Sequence, residues 1–421
     1  MTHFGIICPS AAGHLNPMIT LCHELKQRGH RLTIIGIADI RSQVLAAEFE
    51  FQTIGQSDFP PGAIADIFTR LGKLQGWAAI GYSVKWMATT ARTILQDAPE
   101  AIKTAGIEAL LIDQASPEGG TVAEYLRLPY ISICNALMLN HDANIPPFVT
   151  TWQYNPSWWG RLRNQLGYRL LAQIARPVTQ VVLTYRQRWN LPLDRGGYSQ
   201  LAQISQQPSL FEFPRTELPA CFHFTSSFSN LATRTPTSFP YEKLTGQHLI
   251  YASLGTLQNR LTWIFKAIAE ACVELDVQLI IALGGGTNPD ALEIPGNAIV
   301  VGYAPQLELL QRADLTITHA GMNTVLESLK NGVPMVAIPI TNDQPGVAAR
   351  IAWTGVGEVI PLKKVKTERL RRAIVRVLKD DSYRQNAQKI QQVMIGGVSK
   401  AADIIEQVVA TGKPVIARAD S

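Results

Sequence analysis

The stretch FGIICPSAAGHLNPMITLCHELKQRGHRLTIIGI, Phe4–Ile37, decides the fold. Its first apolar run, FGIICP, has the length of a buried strand, and SAAGHLNP follows it as a loop. Met18, Leu21, Cys22 and Leu25 then recur on one helical face, Gly29 supplies a stop, and LTIIGI (Leu32–Ile37) is a second apolar run. Strand, loop, helix and strand within about forty residues open a parallel α/β sheet.

Working outward, ALLID (Ala109–Asp113) and YISICNA (Tyr130–Ala136) read as later strands of that sheet, with VAEYL (Val122–Leu126) helical between them. A second series follows: LIYASLG (Leu249–Gly255), VQLIIAL (Val277–Leu283), AIVVGY (Ala298–Tyr303), LTITHAG (Leu315–Gly321) and PMVAIP (Pro334–Pro339). Between the series, Ser226–Gln247 is rich in Ser, Thr and Pro and lacks apolar periodicity, as a linker does. The expected domains are therefore 1–225, a linker 226–247, and 248–395. In the remaining segment, 396–421, Gly396 and Gly397 break a helix and Ser399 is expected to cap a new one over Lys400–Ala410, which would return across the interdomain region to the first domain. The expected fold class is α/β, two facing Rossmann-like doubly wound domains whose strand carboxyl ends share one cleft.

Composition narrows the function. A chain of 421 residues that is 46% apolar and 17% charged can bury two substantial cores. Its net charge of +5 is modest, and without a basic tail no nucleic-acid partner is expected. Five cysteines, an odd number without a CxxC pair, suggest buried thiols in a reducing compartment. The opening MTHFGIICP lacks a basic leader, and no apolar run of about eighteen residues occurs, so a cytoplasmic protein is expected.

Chemistry concentrates in ITHAGMNTVLE, Ile317–Glu327, where a strand delivers His319, Gly321, Asn323 and Thr324 to the start of a helix. Unsatisfied N–H groups there favour an anion by roughly 0.3–1 kcal/mol, and Gly321 permits close approach. Glu327, one turn on, would be repelled by a phosphate unless it bound the diol of a neighbouring ribose, which suggests a nucleoside diphosphate. An ordinary capped helix start with a satisfied histidine fits these residues equally well. The GGG at Gly284–Gly286 lacks the spacing of a dinucleotide fingerprint and reads as a tight turn.

The flanks, YAPQLELL (Tyr303–Leu310) before the turn and GVPMVAIPITNDQPGVAAR (Gly332–Arg350) after it, decide between those readings. Together they resemble the donor motif of the family 1, UDP-sugar-dependent glycosyltransferases, which have the GT-B fold. The resemblance implies that Tyr303 stacks on uracil and the Gln306 backbone pairs with its edge. It further implies that His319, Gly321, Asn323 and Thr324 hold the diphosphate, with Gly255 and Thr256 lining it, Glu327 the ribose hydroxyls, and Asp343 and Gln344 the sugar hydroxyls. Tyr303 and Met322 stand where plant members usually carry Trp, which leaves the donor sugar open, with UDP-glucose expected.

Transfer to an alcohol needs a base. His14 lies in the loop after the first strand, and Asp113 ends a later strand of the same sheet. A histidine at a helix start and a strand-end aspartate also occur without catalytic tasks, but both positions match the family's base and its orienter. The resemblance implies inversion, no metal and no cofactor beyond the UDP-sugar co-substrate. A nucleotide-sugar epimerase or a noncatalytic binder of hydrophobic ligands would share the two-domain architecture, and UDP release separates them from a transferase.

From Ala143 to Leu193 there is no Asp, Glu or Lys, but six arginines, with three tryptophans in Trp152–Trp159. Such a segment either lids an acceptor cleft or rests on an anionic membrane surface. The phrases DQASPEGGTVAEYLRLPYISICNALMLN, LAQISQQPSLFEFPRTELPACFHF and YASLGTLQNRL resemble the zeaxanthin glucosyltransferases of the family, implying a hydrophobic hydroxylated acceptor such as a carotenoid. Flavonoids, phenols and sterol-like alcohols stay open.

Overall fold

A computed structural model describes residues 1–71, 74, 76–193, 197–234, 236–256, 261–285 and 287–417. The first sheet contains β1 (His3–Ile7), β2 (Arg31–Gly36), β3 (Glu50–Thr53), β4 (Ala109–Asp113), β5 (Tyr130–Cys134), β6 (Gln203–Ser205) and β7 (Phe222–Phe224). The second contains β8 (His248–Ser253), β9 (Val277–Ala282), β10 (Ile299–Val301), β11 (Leu315–Thr318), β12 (Met335–Ala337) and β13 (Gly357–Val359). Around the first sheet run α1 (Ala12–Gln27), α2 (Arg41–Ala46), α3 (Ala63–Leu71), α4 (Gly76–Ala105), α5 (Glu118–Leu126) and α6 (Trp158–Arg188). Around the second run α7 (Thr262–Cys272), α8 (Gln306–Leu310), α9 (Met322–Lys330), α10 (Gln344–Thr354), α11 (Thr367–Lys379) and α12 (Asp381–Gln391), followed by α13 (Gly397–Thr411).

Every strand pairing is parallel, and the orders are β3-β2-β1-β4-β5-β6-β7 and β10-β9-β8-β11-β12-β13. Parallel strands covered by helices on both faces are mostly apolar, and β1, β4 and β5 are buried at every position. In each sheet the winding reverses beside its first strand. β1 pairs with both β2 and β4, and β8 with both β9 and β11. Connections leave in opposite directions there, so a crevice opens at the carboxyl ends of β1 and β4 and another at those of β8 and β11. This is the expected doubly wound pair.

Several elements differ from the sequence expectation. β11 ends at Thr318, three residues short of the end of the apolar run, and His319 to Gly321 form the expected turn before α9. Ser399 does not cap the last helix. Gly396 does so in the left-handed region (φ +65°), and Ser399 sits inside α13, where its hydroxyl accepts from Arg28 Nη2 at 2.7 Å. The stretch Ser226–Ser229 is buried, and Phe228 belongs to the first core. Of the six arginines between 143 and 193, Arg186 is fully buried and bonds Glu124 at 2.8 Å, while Arg163 lies 4.9 Å from the centroid of the Trp152 ring.

Although α13 follows the second domain in sequence, its Ala401, Ala402, Ile405 and Val408 complete the first core against Leu15, Met18 and Leu25. Arg28 reaches Asp403 at 2.6 Å and Glu406 at 2.8 Å, and His30 Nε2 meets Glu406 Oε1 at 2.9 Å. Such partly exposed pairs contribute only about 0–1 kcal/mol each, so apolar burial holds the helix. Among the described residues no helix is long and apolar enough to cross a membrane.

Candidate active site

The first crevice brings together His14, on the opening turn of α1, and Asp113, the last residue of β4. His14 Nδ1 lies 2.8 Å from Asp113 Oδ2, which also accepts from Asn135 Nδ2 at 2.7 Å, while Oδ1 accepts from the Ala115 N–H at 2.8 Å. A carboxylate already accepting two N–H donors is an acceptor toward the ring, so Nδ1 carries the proton and Nε2 keeps its lone pair. The Asp113 side chain is 1% exposed and that of His14 21%, so the pair is fixed from behind and open in front. Burial pushes the His14 pKa down, but the charge and hydrogen bond of Asp113 and the charge of Asp343 outweigh it, leaving it above the ordinary value.

The second crevice holds His319, which follows β11. A Cβ on Gly255 would stand 2.7 Å from its ring and one on Gly321 2.6 Å, so both glycines are dictated by the imidazole packed between them. Burial pushes His319 down to about 4, partly opposed by a bond to the Ser253 backbone, so it is a neutral hydrogen-bonding group at neutral pH and not a cation. Its Nδ1 is buried without a partner, which marks a place where a ligand atom would satisfy it. Gly321 caps α9 without a side-chain bond, leaving the amino end of that helix beside the ring.

Around this point lie the other residues expected to hold a donor. Tyr303 is 59% exposed and stands over Gly285, where a Cβ would reach within 2.1 Å of its hydroxyl. Gly284 in turn packs against the Gly255 carbonyl. The glycine turn after β9 therefore forms part of the wall, a role that a plain tight turn did not suggest, although Gly286 lies outside the described residues. Gln306 turns its N–H onto the Ala304 carbonyl at 2.8 Å and its amide onto Glu327 and, more weakly, Thr324. Glu327 is 2% exposed, held between Gln306 and Arg234. Sequence reasoning had Arg234 inside a linker, with nothing to single it out. Thr256 follows Gly255 at the rim. Gln344 uses its side-chain oxygen to accept from Ile340 and Thr341, both at 2.9 Å, and so fixes the loop before α10.

Three hydrogen bonds join the crevices. Asn323 donates to the Gly13 carbonyl at 2.8 Å and accepts from Gln206 Nε2 at 2.8 Å, and Asp343 Oδ2 accepts from the Leu137 N–H at 3.1 Å. Asn323 thus ties the first turn of α9 to the first turn of α1, which carries His14. Among the described residues no group of three or more His, Cys, Asp or Glu is placed to hold a metal ion. The remaining histidines have structural partners: His3 bonds Thr33, His223 the Val415 carbonyl, and His141 packs on Tyr168.

Comparison with known proteins supplies the family. The profile of the "UDP-glucoronosyl and UDP-glucosyl transferase" family matches residues 198–395. A zeaxanthin glucosyltransferase of Pantoea ananas is 34% identical over 99% of this chain and 98% of its own length. The chain belongs to the UDP-glucoronosyl and UDP-glucosyl transferase family. A second zeaxanthin glucosyltransferase, from Pseudescherichia vulneris, is 32% identical to this transferase over 99% of the chain and 100% of its own length. The crystal structure of the calicheamicin glycosyltransferase CalG4 superimposes with a TM-score of 0.76 at 21% identity, covering 98% of the transferase and 100% of that chain. The transferase is thus a family 1 enzyme of GT-B architecture that moves a sugar from a nucleotide donor to a small-molecule acceptor.

Proposed function

We propose that this transferase moves glucose from UDP-glucose to a hydroxyl of a hydrophobic acceptor, a carotenoid such as zeaxanthin, with inversion and without a metal ion. The observation that carries the reading is the pairing of two crevices: an imidazole with its free Nε2 fixed by Asp113, facing a helix amino end beside the unpartnered Nδ1 of His319. The acceptor class rests on the names of the two relatives that match along the whole chain. In this reading residues 1–225 bind the acceptor and 248–395 the donor.

The acceptor hydroxyl gives its proton to His14 Nε2 as its oxygen attacks the anomeric carbon from the face opposite the diphosphate. The bond to the diphosphate oxygen breaks, and the anomeric centre inverts. Asp113 keeps the tautomer and stabilises the imidazolium; a base so placed contributes on the order of 10²–10⁴ in rate. Charge developing on the diphosphate meets the α9 amino end, Thr324, Asn323 and a neutral His319 N–H, donors already in place before the reaction. Tyr303 stacks on the base with Gln306 at its edge, Glu327 accepts from the ribose hydroxyls, and Asp343 and Gln344 reach the sugar, with Gly255 and Thr256 along the diphosphate.

The deciding experiment incubates the wild type and His14→Ala with UDP-glucose and detergent-dispersed zeaxanthin, with and without chelator, and follows hexosylated carotenoid by mass spectrometry. Wild-type product that survives chelation, lost in a variant that still binds UDP-glucose, is the expected result. Product with phenolic acceptors alone would overturn the acceptor, and a variant that loses donor affinity would overturn the role of His14.

A further inference from the structure

Helices α4 and α6 each precede a strand of the parallel first sheet, β4 and β6, so they run against the strands and begin on the side where His14 and Asp113 stand. The first half of α6 is tied down along one face only. Asn164 donates to the Ala143 carbonyl at 3.1 Å, and Gly167 packs on Pro147 and Trp152. Its other face carries an uncovered apolar stripe. Trp158 and Trp159 are 63% and 62% exposed, and Leu162, Leu166 and Leu170, each four residues on, are 40%, 54% and 53% exposed. The two indoles stack at 3.7 Å between centroids, so they form one block at the end of the stripe. Beside it α4 adds exposed Ile80 and Met87 in its own first half.

The charge carried by these two helix segments has one sign, while α3, packed on α4 through Phe68 and Trp86, adds exposed Arg70 and Asp66. Arg161, Arg169 and Arg176 are exposed on α6, and α4 contributes Lys85 and Arg92, with no acidic residue from Gly76 to Gln96 or from Ala143 to Leu193. Leucine and tryptophan flanked by arginine suit the boundary of an anionic bilayer: the apolar side chains enter, the indoles sit at headgroup depth, and the guanidinium groups meet lipid phosphates. A second copy of the chain fits less well, because a two-fold contact would set the patch against itself and bring its arginines together.

We propose that the exposed face of α6, with the first half of α4, is a docking surface for an anionic membrane. It holds the mouth of the acceptor cleft against the bilayer, so that a lipid-soluble acceptor passes from membrane to His14 without crossing water. The second clause rests on the hydrophobic-acceptor reading; the docking itself does not.

The test is flotation of the full chain with phosphatidylglycerol vesicles and with phosphatidylcholine vesicles, together with quenching of tryptophan fluorescence by brominated lipid. The protein should float with the anionic vesicles, lose binding at high salt and be quenched. Arg169→Gln with Arg176→Gln should weaken binding about thirtyfold, and Trp158→Ser with Trp159→Ser should remove most of the quenching. These side chains are exposed, and circular dichroism checks that the variants fold. Protein left unfloated in both lipids, flotation indifferent to both double substitutions, or a stable dimer in sedimentation that the tryptophan substitutions dissociate would each overturn the proposal. Transfer to acceptor in detergent is measured in parallel. The tryptophan variant should keep that activity and lose transfer to acceptor embedded in vesicles. Flotation without transfer to any lipid-like acceptor would sink the acceptor reading and leave the docking surface standing.

Discussion

His14 acts as a base only when neutral, and its pKa is held above the ordinary imidazole value by Asp113 and Asp343 against the effect of burial. Activity should therefore rise with pH through a limb lying above about 6.5 and fall away below it. Asp113→Asn removes the charge that raises the pKa and leaves burial in place, so the residual activity should show that limb displaced toward acid; a limb that stays put in a kcat/KM profile would refute the coupling. Glu327 makes a second case. A carboxylate has about four acceptor positions, and Arg234 and Gln306 each occupy one, leaving room for two ribose hydroxyls. With the carboxylate 2% exposed, Arg234→Met leaves its charge poorly compensated and its orientation toward the ribose less well fixed. The donor KM should rise about tenfold with kcat nearly unchanged, and Arg234→Lys should restore part of it. Tighter donor binding in Arg234→Met would show instead that the arginine competes with the ribose.

At the scale of elements, α13 gives the sharpest contrast between chain order and packing. Ile405 is fully buried in the first core, so Ile405→Ala should cost about 2–5 kcal/mol in urea unfolding while donor affinity is kept. A donor site that weakens as much as the fold would mean that α13 supports the second domain instead. The return of α13 was legible because two glycines break the chain before an amphipathic segment; its cap was not, since Gly396 acts through backbone conformation where Ser399 offered the more familiar side chain. Strands β1, β4, β8 and β11 were legible as apolar runs. Strands β3, β6, β7 and β13 have three or four residues, and β6 is Gln-Ile-Ser, buried throughout because Asn140 donates to Gln203 Oε1 at 2.9 Å. No hydropathy pattern reports a polar strand whose side chains are satisfied by partners 63 residues away. For the same reason the pairing of His14 with Asp113 followed from strand ends and family likeness, whereas Gly285 beneath Tyr303 and Arg234 on Glu327 depend on how loops approach in space.

At the scale of the whole molecule, the two domains meet through a buried ionic lock as well as through Asn323. Glu212, which precedes the 226–247 segment, accepts from Arg350 Nε at 2.9 Å and from Gln207 Nε2 at 2.8 Å, with Arg215 Nε 3.4 Å away; Glu212 is 6% exposed and Arg350 1%. Burial would raise the Glu212 pKa, but Arg350 and Arg215 outweigh it and hold the carboxyl below its ordinary value. A group depressed in this way supports the folded arrangement fully above its unfolded pKa of about 4.5, and the support is lost as pH falls through the lower folded value. The interface should thus hold across neutral and mildly acidic pH. Aromatic rings close over it: Arg350 lies 4.5 Å from the centroid of Phe213, which packs with Tyr154 and Trp353. Since the charged groups on this side of the interface are buried and paired, a domain motion that admits substrate is expected to pivot about it and open the crevices at the other side, where the ties are the two hydrogen bonds of Asn323 and the one that Asp343 accepts. Arg350→Met leaves Glu212 buried with Arg215 alone and should cost about 3–5 kcal/mol. If the lock is the pivot, small-angle scattering of this variant should show a larger radius of gyration, and proteolysis should cut first in 226–247, while Asn323→Ala leaves both measurements near the wild type. An Arg350→Met protein as compact and as protease-resistant as the wild type, with Asn323→Ala opened, would place the pivot at the active-site edge instead.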